Sequence, residues 1–482
     1  MAAKAARHHS RVTPVEPPRL KRPALDLRLW PLAVTTWCGC AAVLSTRSLE
    51  LAWAAVVVLI ALAILSLAAA AVPSVGPALS TVGPVTGFGA AAAVAITASR
   101  IHRANHHEVA SWQGSATTIR GRLIADPTPT SADDTHMLRL SVPELPADLT
   151  VFAHAAHTEH LGVGNVVAVT GQVAAASRPG ISPVTMSTNA PIEIVGEPNM
   201  LFGFAASART QLAQLAADTL SEHTAGLVTG MVFGDVRPQP AVQRQYLLDA
   251  GLAHLSAVSG ANVTIVSGCA LTVAAFLGAT PKVRVAVAAL ALAAYVLVTG
   301  PEPSVLRASV MGGVSLVAIA SSRRKQPLSA LAAGIIVLLL CYPNLAVNWG
   351  FGLSVGVTLG LILLAPFIRR GLLRLHYVNK LPDVVVGALA VAIAAEIVSI
   401  PLLIGMSGTV PIGSVVANLL ASAAVAPVTV LGLVAAIALW VPGVGPPVAT
   451  VALWLAWPCA AWIDWVAATV AAVPGAVVEV AQ

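Results

Sequence analysis

The sequence predicts a polytopic α-helical membrane protein of about 11 to 12 spans, carrying a small extracytoplasmic β-barrel insert of OB-like type. Three observations predict it. Hydrophobic residues make up 57% of the chain and charged residues only 10%, where a soluble domain carries about 25% charge. Uncharged stretches run over 51–99, 326–368 and 397–463; one span takes roughly 20 apolar residues, so each stretch holds two or three. Between them, residues 100–198 turn polar and alternate with a period of two.

The elements follow in order. Residues 1–28 hold Arg7, Arg11, Arg19, Lys21, Arg22 and Arg28 ahead of the first span, a long basic arm expected in the cytoplasm rather than a cleaved signal. The amino-terminal membrane region, 29–99, contains spans at about 29–46, 51–72 and 82–99. Residues 51–72 are continuous Leu, Ala, Val and Ile apart from one Trp and one Ser, which excludes the alternating strands of a membrane barrel. The third span is rich in Gly and Ala and is the weakest of the three.

The insert, 100–198, contains seven of the twelve histidines. Strands are expected at 115–123, 136–142, 149–155 and 164–174, with a short fifth near 192–195, separated by turn residues such as Asp126-Pro127. Five short strands without helical periodicity suggest an OB-like barrel. Trp112 and Phe152 are its candidate base-stacking residues, and Arg120, Arg122 and Arg139 its cations.

The remaining region, 199–482, opens with an amphipathic helix and a Gly-rich approach over 201–234. Spans follow at about 254–279, 283–300, 304–321, 326–342, 350–368, 383–406, 411–432 and 447–467; residues 430–442 form either part of these or a separate short span. With the amino terminus inside, successive crossings place Lys282 and Arg284, then Arg323, Arg324 and Lys325, then Arg369, Arg370, Arg374 and Lys380 inside. The opposite loops near 300–303 and 343–349 hold no Lys or Arg, as the positive-inside rule requires. Arg47, in the first external loop, is an exception. Topology therefore explains the net charge of +6 better than nucleic-acid binding does.

Four polar clusters break the membrane region. The first runs through Asp235, Arg237, Arg244 and Asp249 to His254, where Ser259-Gly260 and Gly268 offer places for a helix to break. Broken helices expose unpaired backbone groups that bind ions or polar ligands; an interfacial loop is the plainer reading. The second is Gly300 to Ser304 followed by Arg307, which either snorkels to the outer interface or meets a phosphate or carboxylate. The third, Asn348 to Ser354, combines an interface anchor, Trp349, with small residues suited to close helix packing. The fourth is Glu396, with Asn418 in the next span. Glu396 either partners Arg307 or titrates during transport. His223 reads as a surface residue. The five cysteines form no CxxC pair, no Walker motif exists, and the insert's histidines match no metal signature, so no cofactor or metal is expected.

GDVRPQP at 234–240 and GLAHLSAVSGANV at 251–263 resemble the paired signatures of the ComEC competence family of DNA-uptake channels. PSVLRASVM at 303–311, GFGLSVG at 350–356 and Ala417-Asn418-Leu419-Leu420 resemble further elements of that family in the same order. The resemblance covers about 200–435 and, less specifically, the insert. It implies passage of single-stranded DNA across the cytoplasmic membrane during transformation, without enzymatic activity. It points to Asp235, His254, Ser259, Gly260 and Arg307 as channel-site residues; Arg237, Asn262, Glu396 and Asn418, polar groups in the same region, complete the expected channel path. It also implies an external DNA receptor and a cytoplasmic ATP-driven motor as partners. Two positions depart from the family: Ala261-Asn262 stand where a histidine is common, and Gly352 where a glutamine is common. Many members carry a carboxy-terminal metallo-β-lactamase-like domain; no histidine follows His376 here, so a separate nuclease is expected to degrade the second strand. A transporter or channel for a small or lipid-linked solute, and a non-transporting membrane scaffold, are the alternative readings.

Overall fold

The computed structural model describes residues 26–70, 77–130, 134–158, 160–256, 258–300, 302–320 and 326–479. The basic arm before Asp26 and the Arg323-Arg324-Lys325 loop lie outside them.

Three helices come first: α1 (Trp30–Thr46), α2 (Leu49–Ala70) and α3 (Pro77–Asn105). The third holds despite Pro84 in its interior, so the parity of the charge count is kept. A one-turn helix, α4 (Glu108–Ser111), leads into the insert. The strands are β1 (Ala116–Leu123), β2 (Thr128–Pro129), β3 (Thr135–Ser141), β4 (Leu149–His154), β5 (Val166–Ala175), β6 (Val184–Thr188) and β7 (Glu193–Gly196).

The sheet runs β1-β3-β4-β6-β5 and closes through antiparallel pairing of β5 with β1, a five-stranded barrel. The β4–β6 contact is its one parallel pairing; β2 and β7 pair outside the ring. Alternation selects the interior: Leu138 and Leu140 of β3, Leu149 and Val151 of β4, and Val167 and Val169 of β5 are buried together. Each such side chain contributes about 1.5–3 kcal/mol of burial. The strand expected near 192–195 is β7, an outer addition; the ring's fifth strand is β6, which sequence reading missed because VTMST is short and lies between prolines.

The carboxy-terminal region is helical: α5 (Met200–Thr219), α6 (Glu222–Phe233), α7 (Ala241–Asp249), α8 (Ala253–Ser256), α9 (Gly260–Phe276), α10 (Pro281–Thr299), α11 (Pro303–Ala320), α12 (Pro327–Cys341), α13 (Trp349–Leu363), α14 (Ala365–Leu372), α15 (Asp383–Ser407), α16 (Ser414–Ala438) and α17 (Gly445–Ala471). Short strands β8 (Thr409–Pro411) and β9 (Val477–Glu479) pair beside α16. Among the described residues, six helices are long and apolar enough to cross a membrane, with a seventh if α13 and α14, bent by 44°, count as one; three shorter apolar helices accompany them. The protein is a multi-pass membrane protein.

Two expectations are corrected. The amphipathic helix is α5, and the Gly-rich approach after it is itself a helix, α6, buried on every side from Thr224 to Phe233. Residues 430–442 do not form a separate span, because α16 continues unbroken to Ala438.

The barrel is fastened to the membrane helices at two places. At the first, Arg47 ends α1 in a left-handed conformation (φ 53°) and donates to the carbonyls of Gly180, Ile181 and Ser182. Asn344 Oδ1 accepts from Ile181 N at 2.9 Å beside it. This accounts for the lone cation in that loop: its charge is consumed by barrel carbonyls. At the second, Asp126 of the barrel meets Arg209 of α5 at 2.5 Å and approaches Arg237 at 3.9 Å. Arg209 also donates to Val298 O at the end of α10. The loops at 47, 234–237, 298–300 and 344 therefore gather on the barrel's side, as the charge count requires.

Candidate functional site: a broken helix beneath the barrel

The chain enters α9 through a break. The one-turn helix α8 carries His254, Ala257 lies outside the described residues, and α9 starts at Gly260. The break falls at Ser259-Gly260 as the glycine and serine content suggests; Gly268 does not interrupt α9. His254 is exposed, and Ser259 is half-buried.

Glycines let this segment pass between its neighbours. Gly251 has φ +71°, and a Cβ there would lie 2.5 Å from Ser414 Cβ. A Cβ on Gly230 of α6 would lie 2.7 Å from Ser256 O. The segment is thus held between α6 and the start of α16.

The buried carboxyl end of α6 governs the polar contacts. A helix end leaves its last carbonyls without intrahelical donors. Gly234, at φ +76°, returns its N–H to Gly230 O and Thr229 O. Asn262 Nδ2 donates to Met231 O at 2.6 Å, and Tyr295 Oη donates to Val232 O at 2.9 Å. Ser259 Oγ donates to Asn262 Oδ1 at 3.2 Å, and Ser304 Oγ to Val258 O at 2.8 Å. Asn262 is accordingly a buried bridge between the broken helix and α6.

Asp235 follows immediately and is buried. Arg237 grips it with Nε and Nη2, each at 2.8 Å. Burial pushes the Asp235 carboxyl up, but these hydrogen bonds, the Arg237 charge and the more distant Arg209 charge outweigh it and hold the group below its ordinary range. The bond to Asp235 correspondingly raises the Arg237 guanidinium. Asp235, Arg237, Asp126 and Arg209 form one alternating chain of charges from α6 through the barrel to α5.

Arg307 is buried one turn into α11. Its Nε donates to Ser354 Oγ of α13 at 2.7 Å, and Nη1 lies 3.6 Å from Met311 Sδ. A Cβ placed on Gly260 would come 3.1 Å from Nη2, so the guanidinium lies against the start of α9. No carboxylate pairs with Arg307 among the described residues. The alternative that Glu396 is its partner is therefore excluded.

Asp235, Arg237, Ser259, Gly260, Asn262 and Arg307 thus belong to one connected region, and His254 lies beside it on α8, which packs on α6. Glu396 and Asn418 do not join it by hydrogen bonds: each is half-buried, and neither has a polar partner among the described residues. The insert's candidate DNA contacts are weaker than their residue types suggest. Trp112 packs on the barrel core, Arg139 is paired with Asp148 at 2.7 Å, and Arg122 donates to Gly164 O. Residues 100–198 hold six arginines against nine carboxylates, so the insert is acidic.

Sequence reading missed a second polar knot. Asp464 of α17 accepts from Gln243 and Tyr246 of α7, and lies 3.5 Å from His223 of α6. His223 is a member of this knot, with its ring 3.0 Å from Tyr246 Oη, not an isolated surface residue. The signal was visible: Asp464 ends the uncharged stretch 397–463.

The family described as Competence protein matches residues 231–482. ComE operon protein 3 of Bacillus subtilis (strain 168) is 32% identical over 167 residues, 34% of this chain and 21% of that protein. The match therefore spans about a fifth of that relative's length. No solved structure matches. The match over more than half of the chain, and its coincidence with the broken helix and the Arg307 region, place this chain in the competence protein family.

Proposed function

We propose that this protein takes part in DNA uptake during competence, as the path by which single-stranded DNA crosses the cytoplasmic membrane. The observation that carries the proposal is Arg307. A guanidinium held within apolar helices without a counter-charge is costly and is a functional site by default. Its planar fork suits phosphate oxygens, and a DNA strand supplies a phosphate at every nucleotide. Ser354 fixes one edge of the group, and Gly260 removes the side chain that would cover the other.

The remaining site residues have separate tasks in this reading. Asn262, Ser259 and Gly260 shape the break; Asp235 and Arg237 hold the barrel over it; exposed His254 stands at the entrance. The acidic, firmly seated barrel acts as a collar rather than as the main DNA-binding surface. An external receptor would deliver the strand, a cytoplasmic ATP-driven motor would draw it inward, and a separate nuclease would remove its complement.

Uptake of labelled DNA tests this directly. His254→Ala and Arg307→Ala should each reduce DNase-resistant label while membrane abundance stays normal; unchanged uptake in both removes the assigned site. Glu396, half-buried without a polar partner, favours a second reading, a transporter for a small or lipid-linked solute. Solute transport by vesicles of the purified protein, indifferent to DNA and lost in Glu396→Gln, would establish that reading instead.

A further inference from the structure

Helix α17 has two dissimilar faces. The buried face is built from small residues, including Ala452, Ala456, Ala460 and Ala467, and packs on α16, α6 and α7. The outward face carries Trp454, Trp457, Trp462 and Trp465, all exposed. Trp462 Nε1 donates to Leu420 O at 2.9 Å. The indole N–H groups of the other three have no acceptor among the described residues.

Tryptophan concentrates at the membrane–water interface, where the ring is apolar and its N–H finds water or a lipid ester. From Trp454 to Trp465 the helix rises about 16 Å. The hydrocarbon core is roughly 30 Å thick. A helix running along the membrane normal would spread these rings across half of it, stranding N–H groups in hydrocarbon that offers them no acceptor. A helix lying flat keeps all four at one depth.

The packing of the hairpin points the same way. The core shared by α16 and α17 includes Val263, Leu292, Tyr295, Val298 and Val305, all from the barrel-side halves of α9, α10 and α11. Ala288 and Leu316, deeper in α10 and α11, are buried but lie outside that core. At the turn between α16 and α17, Trp440 stacks on Phe204 at 4.4 Å, close to where α5 leaves the barrel. The start of α16 is held at Gly251, in the segment between α7 and α9. Both ends of α16 therefore meet elements of the barrel side. The intervening turn, 439–446, carries no charge.

We propose that α16 and α17 lie as a hairpin in the membrane interface on the barrel's side, with the tryptophan face of α17 seated at the boundary between lipid headgroups and acyl chains. Their length and composition would let either helix cross; their packing and the spread of their tryptophans place them flat. Asp464 then needs no deep burial, since its knot with Gln243, Tyr246 and His223 sits at interfacial depth. The assignment is independent of what the channel carries.

Spin labels in liposomes containing the full chain test it. After replacement of the five cysteines, labels are placed singly through Ile437→Cys, Trp454→Cys and Trp465→Cys, and depth is read from relative collisions with oxygen and a nickel chelate. Labels at Leu51→Cys, Val58→Cys and Leu65→Cys on α2 provide a crossing helix as ruler, spreading over about 21 Å. The expected result is that positions 454 and 465 share one depth within about 5 Å, near the headgroups, with 437 close to them. A separation near 16 Å between 454 and 465 overturns the proposal. If the cysteine-free protein does not fold, lipids brominated at different depths are used with the native protein and with Trp454→Phe/Trp457→Phe. The fluorescence lost in that variant should be quenched most by shallow bromines; strongest quenching of it by deep bromines overturns the proposal.

Discussion

Arg307 donates its Nε proton to Ser354 Oγ at 2.7 Å and has no carboxylate partner among the described residues. The hydroxyl orients the guanidinium without neutralising it, leaving its charge for a ligand. Ser354→Ala removes orientation but not charge, so labelled DNA uptake should fall several-fold. Arg307→Ala removes both and should reduce uptake more than tenfold. Equal uptake in wild type and Ser354→Ala would show that the hydroxyl does not position the arginine.

The fastening of the barrel predicts a stability effect. Arg209 and Asp126 are both largely buried where α5 meets the barrel. Removing one partner of such a pair leaves the other uncompensated, at about 3–5 kcal/mol. Arg209→Ala should lower the thermal midpoint in detergent and open the linker at 197–199 to protease; an unchanged cleavage pattern would remove this anchor from the account.

Asp235 gives a pH dependence with a defined sign. Its folded carboxyl lies below the ordinary range because Arg237 and Arg209 outweigh burial. A depressed carboxylate contributes stability above its unfolded value, about 3.9, and loses it as pH falls through the lower folded value. Contact between the barrel and the 234–240 loop, followed by a cysteine cross-link, should persist from neutrality to about pH 4 and weaken only below it. Asp235→Asn should weaken the contact at neutral pH and flatten the acid response.

Asn262 is the test of the α6 cap. Asn262→Leu fills similar space but leaves Met231 O without its side-chain donor. A buried unmet carbonyl costs about 1–3 kcal/mol, which unfolding in detergent should register. Asn262→Gln, with a donor one methylene out of place, should recover only part of it.

Much of the architecture was legible because its signals are local. Helix α2 is apolar beyond Glu50 apart from Ser66, and β3, β4 and β5 alternate, so composition and period define them. The break at Ser259-Gly260 was legible because small polar residues interrupt an otherwise apolar run. What was hidden depends on distant partners. Asp126 becomes an anchor only through Arg209, 83 positions away. The capping role of Asn262 needs α6 to end beside it, and α6 itself reads in the sequence only as a Gly-rich approach. Arg139 looked like a DNA contact until β3 and the following turn brought Asp148 against it.

The central claim is that DNA touches Arg307 as it crosses. A photoreactive amino acid in place of Met311, whose sulfur lies 3.6 Å from Arg307 Nη1, can capture labelled single-stranded DNA during uptake. A covalent adduct is expected at position 311, appearing only while DNA is being imported and disappearing in Arg307→Gln. Normal import with no adduct at 311, while the same probe elsewhere in the protein captures DNA, would contradict it.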